Sequence, residues 1–338
     1  MPHFIYRRLL ASSNRDAVGA TGCDEEGVMK ATTTYSSWSI FRNCRKMYQL
    51  KYIKKITPLK KEPALQFGSV MHRALELWHS SNIDCLPVFN YLNEEFSNRT
   101  HDPAQNKMWH LATAMFTGYS QRYVKEPFEI IELERKFQQP IVNPATGAKS
   151  PKYNIEGKVD GVIKLDGGYY LLEHKTASQI DGNYLDKLWT DFQITIYSKY
   201  IAQELGILIS GVLYNILCKA RLQQYEVGKT RKVPESDADF QARLVEKYSD
   251  PTMFHREIIF LDATRLKMIE VEIWELTQAL NDATRRDAWY QNTSYCFNWH
   301  RPCSYLPLCS SNENPNILNT MYEIAPPFEE LAEDQKPF

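Results

Sequence analysis

The spacing of apolar and polar residues along the 338-residue chain predicts which segments are helices and which are strands. In some stretches apolar residues recur three or four positions apart, as on one face of a helix, whereas in others β-branched and aromatic residues alternate with polar ones, as in a strand. Helices are predicted from Ser36 onward and over residues 69–79, 87–96, 105–123, 184–205, 236–248 and 263–289. Strands are predicted over residues 129–142, 153–165, 169–176, 207–218, 221–227 and 257–261. This order predicts an α/β fold in which a mixed central sheet is flanked by helices, with helical additions at both ends.

At the two ends of the chain, the apolar residues follow neither the helical spacing nor the strand alternation. Residues 1–30 contain three glycines and are predicted to form a loosely ordered leader. Residues 310–338 carry six acidic side chains, one lysine and four prolines, which predicts an acidic and mostly irregular tail. Between them we expect one domain over residues 31–309, with a helical insertion at about 80–127 and a cysteine-containing loop at 290–309.

The composition is that of an ordinary globular protein. Hydrophobic residues make up 43% of the chain and charged residues 24%, which excludes a collagen-like, disordered or disulfide-scaffold protein. No apolar run reaches the roughly 18 residues that a membrane span needs, and residues 1–10 lack the apolar stretch of a signal peptide. We therefore expect an intracellular, cytoplasmic protein.

Positive charge is concentrated near the start of the chain, although the net charge is only −1. Residues 30–61 contain nine lysines and arginines, five aromatic residues and no acidic residue. Basic side chains can follow a phosphate backbone while aromatic rings stack on bases, so we predict DNA contacts by Arg42, Arg45 and Lys46. The alternative is an amphipathic helix with a solvated basic face.

A hairpin is predicted where Asp166-Gly167 separates two alternating runs of residues. A two-residue loop at this position places Asp160 directly opposite Glu173 on the neighbouring strand, with both side chains on one face of the sheet. If the turn lies one residue later, Asp160 faces Lys175 instead.

The predicted register has a chemical consequence. Two carboxylates opposite each other destabilise a sheet unless a positive charge lies between them. A divalent cation held by Asp160 and Glu173, with Lys175 on the same face, would suit phosphodiester hydrolysis, because the cation lowers the pKa of an attacking water and the ammonium orients that water. The alternative is a surface hairpin on which the lysine bridges the two acids.

Asp160, followed after twelve residues by Glu173-His174-Lys175, resembles the D…E-x-K signature of the PD-(D/E)XK nuclease superfamily. Three further motifs are similar to those of the RecB-like branch and occur in the same order. They are an entry motif at residues 35–41, a histidine-containing helix motif at residues 67–72 and a Q-x-x-x-Y motif at residues 193–197. The resemblance covers about residues 35–309, and the ordered set is more specific than any single motif.

The resemblance implies a restriction-endonuclease-like core that binds Mg²⁺ or Mn²⁺ and cleaves DNA. The metal ligands that it implies are His72, Asp160, Glu173 and the backbone carbonyl of His174; Lys175 would assist the water, and Gln193 and Tyr197 would position the DNA strand.

The residues by themselves leave alternatives open at these positions. His72, Glu76 and His79 share one helix face and would form a separate zinc site, although the H-E-x-x-H spacing is missing. The Q-x-x-x-Y pair would also fit a polar pair on a helix surface. Glu134 lies on a predicted strand and is either a further acidic candidate or a solvated edge residue.

The cysteines suggest a second metal site, because three of the seven lie within residues 296–309. Cys296, Cys303 and Cys309 cannot by themselves complete a four-cysteine site. One N-terminal cysteine with a C-terminal trio resembles the iron–sulfur nucleases of the superfamily, the AddB-type and CRISPR-adaptation exonucleases, which implies a [4Fe-4S] cluster with Cys44 as the fourth ligand. Tetrahedral zinc, with His300 as a substitute ligand, and thiols without metal are the alternatives.

These features predict a metal-dependent DNA nuclease, either an exonuclease or an end-processing enzyme of recombination, repair or replication. We expect its partners to be DNA, single-stranded or at ends, and a helicase or recombination protein. One rival is a nuclease-like DNA-binding scaffold without turnover. The other is a zinc-stabilised interaction module.

Overall fold

The structure is a computed structural model that describes residues 20–23, 29–60, 62–227, 233–298, 301–328 and 331. Its helices are α1 (Tyr35–Asn43), α2 (Arg45–Tyr48), α3 (Pro63–Ser80), α4 (Cys85–Glu95), α5 (Pro103–Arg122), α6 (Gly182–Leu188), α7 (Phe192–Leu205), α8 (Asp237–Tyr248), α9 (Ala263–Arg286), α10 (Leu306–Ser310) and α11 (Pro315–Met321). Its strands are β1 (Ala20–Cys23), β2 (Met29–Thr33), β3 (Ile56–Pro58), β4 (Glu129–Val142), β5 (Lys149–Leu165), β6 (Gly168–Ala177), β7 (Ile209–Cys218), β8 (Phe254–Phe260), β9 (Phe297–Asn298), β10 (Arg301–Pro302) and β11 (Tyr322–Ile324). Within the described ranges, no helix combines the length and the apolar composition that crossing a membrane requires.

The chain forms two compact units. Unit 1 consists of Met1–Lys61, Lys136–Lys158 and Ala263–Phe338, and unit 2 consists of Glu62–Arg135 and Val159–Asp262. The boundary passes through β4 and β5, so each of these strands contributes residues to both units.

Unit 2 contains a mixed sheet. β5 and β6 are antiparallel, β6 and β7 are parallel, β7 and β8 are antiparallel, and β4 pairs with β5. Helices α3, α4, α5 and α8 bury an apolar core that includes Phe67, Leu92 and Phe116, together with Leu217 and Phe254 of the sheet. Helix α7 packs against β7. The predicted α/β fold, with a mixed sheet flanked by helices, is confirmed.

Unit 1 contains shorter pairings. β1 is antiparallel to β2, β2 is parallel to the first half of β5, and β3 is antiparallel to β11. A small apolar core lies beside the last pair. Its buried members are Leu50, Ile56, Tyr305, Leu308 and Tyr322.

Two internal segments differ from the prediction. The single helix expected over residues 184–205 is divided into α6 and α7, because the Asp191 carboxylate accepts a hydrogen bond from the Gln193 N–H at 2.9 Å and starts a new helix. The strand expected over residues 221–227 does not form, and the structure describes all of these residues. There the Tyr225 N–H donates to the Glu235 carboxylate at 2.9 Å, and the Tyr225 carbonyl accepts from the Glu235 N–H at 2.9 Å.

Both ends of the chain contain regular structure that the prediction missed. β1 and the start of β2 fall in the expected leader, and residues 1–19 and 24–28 of that leader lie outside the described residues. In the tail that was expected to be irregular, α11 forms and β11 pairs with β3. Tyr322 is buried there and its hydroxyl donates to the Ser304 carbonyl at 2.8 Å, so packing and pairing order this segment despite its prolines and acids.

Candidate active site

The predicted hairpin of β5 and β6 forms around a tight turn. Asp166 and Gly167 both have positive φ, 49° and 81°, the backbone conformation that a two-residue hairpin turn requires and that Asp-Gly favours. The strand pairs then run from Leu165 opposite Gly168 to Gly161 opposite Leu172. The predicted register is confirmed, and the alternative register with the later turn is wrong.

Beyond these pairs, Asp160 contacts β6 through its side chain. Its Oδ2 accepts a hydrogen bond from the His174 N–H at 2.7 Å. Its other oxygen, Oδ1, lies 3.1 Å from Nδ1 of His72, which projects from α3. The carboxylate is therefore held at both oxygens by groups that favour negative charge.

Asp160 and His72 each favour the charged form of the other. Burial by itself would raise the pKa of Asp160, but His72 and the His174 N–H hold that pKa well below its usual range. Burial would likewise lower the pKa of His72, but the Asp160 carboxylate raises it above its usual value. His72 Nδ1 lies beside the Asp160 oxygen at which a metal cation would bind.

Glu173 and Lys175 lie two residues apart on β6. Lys175 Nζ is 2.5 Å from Glu173 Oε1 and donates to Gln193 Oε1 of α7 at 3.0 Å. Burial raises the pKa of Glu173 to about 7, the ammonium of Lys175 opposes this, and the charge of Asp160 adds to it. Burial acts to lower the pKa of Lys175, yet the Glu173 carboxylate raises it. The lysine is therefore charged at neutral pH.

Gln193 and Tyr197 of the predicted DNA-positioning motif differ in their surroundings. Gln193 accepts a hydrogen bond from Lys175 through its side-chain oxygen. Tyr197 lies one turn further along α7 and is only 8% exposed. Its role in positioning DNA stays a prediction.

The residues present fit a hard divalent cation in their donor chemistry. Glu173 supplies a buried carboxylate and Asp160 a partly buried one, the two repel each other electrostatically, and His72 supplies a ring nitrogen beside Asp160. Mg²⁺ and Mn²⁺ prefer oxygen ligands, and two neighbouring carboxylates provide such ligands together with negative charge. Within the described ranges, however, no three His, Cys, Asp or Glu side chains already stand together at metal-binding geometry.

The alternative zinc set does not come together. Glu76 forms an ion pair with Arg73. His79 is buried with its ring parallel to that of His174, at a centroid distance of 5.7 Å, and also packs near Phe128. Glu134 lies in β4 with a positive φ of 49°, which interrupts the strand alternation on which its prediction depended.

Sequence reasoning missed several residues that support this site. Asp191 caps α7 and accepts a hydrogen bond from the Tyr214 hydroxyl at 3.1 Å, and its charge also raises the pKa of Lys175. Asn215 donates to the His174 ring at 2.9 Å. An Asp before a helix is a recognisable capping signal, whereas nothing in the sequence pattern marks Asn215.

The basic segment of unit 1 is used mainly inside that unit. Arg42 pairs with Glu272 at 3.1 Å, while Lys46 and Lys54 both contact Glu313, at 2.6 and 2.5 Å. Arg45 lies over the rings of Phe41 and Tyr290.

Four of the five aromatic residues of the same segment are also internal. Trp38, Phe41, Tyr48 and Tyr52 are all buried, with at most 4% of each exposed. The prediction that these rings stack on bases is wrong, because apolar packing within unit 1 already covers them.

The four cysteines predicted to share a metal lie in unit 1 and form no disulfide. The thiols of Cys303 and Cys309 each interact electrostatically with those of Cys44 and Cys296. Burial, followed by the neighbouring thiols, raises the pKa of Cys309 to about 11. The structure thus brings Cys44 to the C-terminal trio, while His300 lies outside the described residues.

The chain matches the family model of the PD-(D/E)XK nuclease superfamily over residues 32–310 and belongs to that superfamily. Members of the superfamily hydrolyse phosphodiester bonds, so the nuclease class and the restriction-endonuclease-like fold predicted from the D…E-x-K signature are confirmed. The RecB-like and AddB-like branch stays a prediction.

No curated protein matches the chain. A crystal structure of a candidate exonuclease from Eubacterium rectale is similar to it, with 11% identity, a TM-score of 0.43, and coverage of 82% of this chain and 87% of that one. A crystal structure of SSO0001 has 18% identity and a TM-score of 0.22, covering 56% of this chain and 77% of that one. At these values neither likeness adds to the family match.

Proposed function

We propose that the protein is a metal-dependent DNA nuclease, an exonuclease or end-processing enzyme that hydrolyses phosphodiester bonds in recombination, repair or replication. The observation that carries this proposal is the convergence of Asp160, Glu173 and Lys175 in unit 2 at the predicted register. Placing the partly buried Asp160 beside the buried Glu173 costs stability through their repulsion, and such a cost is typical of a site where charge is needed for chemistry.

His72, Asp160 and Glu173, with the backbone carbonyl of His174, would hold Mg²⁺ or Mn²⁺. When bound, the cation would supply Lewis-acid activation of the phosphate and lower the pKa of an attacking water. Asp160 is oriented for this role by the His174 N–H, which fixes one oxygen and leaves the other directed at His72.

Lys175 would bind the water or a phosphate oxygen. Its ammonium is charged and is held by Glu173 and Gln193, so its position is set by two elements, β6 and α7. The Gln193 oxygen accepts from the lysine, so the amide NH₂ of Gln193 is the group directed to donate to a phosphate of the strand. Preorganised donors of this kind stabilise the charge that develops in phosphoryl transfer.

End-labelled DNA tests the proposed activity. Single- and double-stranded substrates, labelled at either end, are incubated with Mg²⁺ or Mn²⁺ and with chelator as control. A ladder of products that requires the cation supports a nuclease, and its pattern distinguishes exonuclease from endonuclease action and fixes polarity. DNA binding without any cleavage under all conditions would favour the scaffold instead.

We further propose that Cys44, Cys296, Cys303 and Cys309 hold a [4Fe-4S] cluster, with Zn²⁺ as the alternative. The mutual interaction of the four thiols in unit 1 supports this proposal. Burial raises the pKa values of Cys303 and Cys309, so a metal that binds these thiols as thiolates must displace protons. Anaerobic purification followed by absorption spectroscopy and metal analysis separates the two metals. Brown protein containing iron and sulfide supports the cluster, and colourless protein with stoichiometric zinc contradicts it.

A further inference from the structure

A row of polar side chains crosses the sheet of unit 2 beneath the candidate active site. His174 of β6 pairs with Asn215 of β7, and Asn215 pairs with Arg256 of β8. All three side chains therefore lie on the same face of the sheet, opposite to Glu173 and Lys175. Asn215 is only 1% exposed, so water cannot satisfy its amide.

The hydrogen bonds of Asn215 fix the orientation of its amide. Arg256 Nε lies 3.3 Å from Asn215 Oδ1, and because a guanidinium has only donors, the amide oxygen must face it. The amide nitrogen then donates to the Tyr119 hydroxyl at 3.0 Å and to Nδ1 of His174 at 2.9 Å. His174 must accept at Nδ1, so its ring is held in one tautomer and one orientation.

Arg256 anchors this arrangement from the far side. Its guanidinium binds both oxygens of the Glu126 carboxylate, at 2.6 and 2.9 Å, and lies 3.7 Å from the ring centroid of Tyr123. A bidentate ion pair stacked on an aromatic ring has little freedom to rotate. The Asn215 oxygen therefore faces a donor in a fixed position.

His174 connects the row to the active site through its own peptide group. The His174 N–H is the donor that binds Asp160 Oδ2 at 2.7 Å. On its other side, the His174 ring packs parallel to His79 of α3, the helix that also carries His72. The ring is thus held between Asn215 and α3 while its peptide binds the catalytic aspartate.

From these contacts we infer that Asn215 is a positioning residue of the nuclease site, which fixes the His174 ring and thereby the peptide that orients Asp160 toward the cation. This inference rests on the proposed function. Residues that hold metal ligands in place typically change metal affinity or activity by roughly 10–100-fold when they are replaced. Asn215 lies one step further from the metal ligand Asp160 than such a residue does, because the His174 residue stands between them.

The test removes the hydrogen bond between Asn215 and the His174 ring by replacing either partner. Asn215→Leu has a similar volume and no donor. His174→Leu removes the acceptor and leaves the contacts of Asn215 with Arg256 and Tyr119 intact, so it carries the same test if Asn215→Leu does not fold. Each variant of the full chain is measured for Mn²⁺ affinity by calorimetry without DNA, and for cleavage over a range of Mn²⁺ concentrations.

We expect each substitution to weaken Mn²⁺ binding by roughly 10–100-fold, and the double variant to be no weaker than either single one. Cleavage should recover most of its rate at saturating Mn²⁺, because the cation ligands themselves are unchanged. Tyr248→Phe is the matched control. It removes a buried hydroxyl that donates to the Cys218 carbonyl at 3.1 Å, away from the site, so it should lower the melting temperature and leave Mn²⁺ affinity unchanged.

Three results would overturn the inference. Both variants could bind Mn²⁺ with wild-type affinity, the losses of Mn²⁺ affinity could multiply in the double variant, or Tyr248→Phe could lose as much Mn²⁺ affinity as they do. Failure of the proposed function looks different. There the wild-type protein itself would neither bind Mn²⁺ nor cleave DNA, and Asp160→Asn would not differ from it.

Discussion

Charged residues of unit 1 and unit 2 are arranged in opposite ways. In unit 1, Lys46 and Lys54 meet Glu313 and Arg42 meets Glu272, so three basic residues of a segment that is strongly positive in sequence pair with acids from another part of the chain. In unit 2, Asp160 and Glu173 are brought together although both are acidic, with one lysine and one histidine beside them.

The two arrangements affect the stability of the fold differently. Oppositely charged groups that pair at the surface contribute little and can be lost at small cost. Like charges that are buried together destabilise the fold, and they are retained where a cation or a reaction needs them.

Asp160→Asn gives the largest effect that we expect. The substitution keeps size and removes the negative charge, so cleavage should fall by several orders of magnitude. The fold should survive with a lower melting temperature, because the contacts with His72 and the His174 N–H are weakened while the repulsion of Glu173 is relieved. Thermal melting, gel shift and cleavage are measured side by side. Asp181→Asn, the same change at the exposed cap of α6, is the control and should cleave normally. If Asp160→Asn cleaved DNA at nearly the wild-type rate, the hairpin would have no part in catalysis.

Lys175→Met tests the ammonium with the cation ligands left in place. We expect cleavage to fall by roughly 10²–10³-fold, the usual loss when one preorganised donor to a developing charge is removed. Lys187→Met, in the last turn of α6, removes a lysine from an exposed position and should leave the rate unchanged. Single-turnover cleavage at saturating DNA is the measurement. Equal rates in the two variants would show that Lys175 only balances the charge of Glu173.

Cys303→Ala tests the cysteine site of unit 1. Metal content should fall to background, and the melting temperature should drop, because the metal would no longer connect Cys44 to the C-terminal loop. Cys85→Ala, on α4 of unit 2, should change neither property. Iron and zinc are quantified by mass spectrometry on anaerobically prepared protein. Metal retained in full by Cys303→Ala would remove this cysteine from the site.

Glu313→Gln gives the smallest effect, since its partners are partly exposed. Burial would raise the pKa of Glu313, but its hydrogen bonds to Lys46 and Lys54 lower it. Because the folded-state pKa lies below the unfolded value, the pairing stabilises the protein above about pH 4.5 and is lost as the pH falls through the folded-state pKa.

Melting curves at neutral pH and at acidic pH check this effect. At neutral pH we expect Glu313→Gln to lower stability by about 1 kcal/mol or less, and the difference from wild type should shrink in acid. Glu272→Gln, which breaks only the more exposed pair with Arg42, should cost less. Cleavage should be unchanged in both variants. A loss that grows as the pH falls would contradict the sign of the pKa shift.

Local sequence determined the parts of the site that one hairpin contains. Asp166-Gly167 adopts the positive φ angles of a tight turn, and a turn of fixed length sets which residues lie opposite each other along both strands. The spacing of the acids at 160 and 173 around that turn was therefore enough to place them in one site. The same holds for the α/β order of elements, which follows from the period of the apolar residues.

Contacts between segments that are distant in sequence could be decided only by the tertiary structure. Asn215 reaches His174 across a parallel strand pair, and the position of that pair depends on how α7 crosses back over the sheet. Glu126 lies 130 residues from the Arg256 that it binds. The rings of the basic segment are buried by packing that no local pattern reveals, and β11 forms because β3 offers it a partner. Hydrogen bonds and apolar contacts act on neighbours in space, so a sequence pattern specifies them only where neighbours in space are also neighbours along the chain.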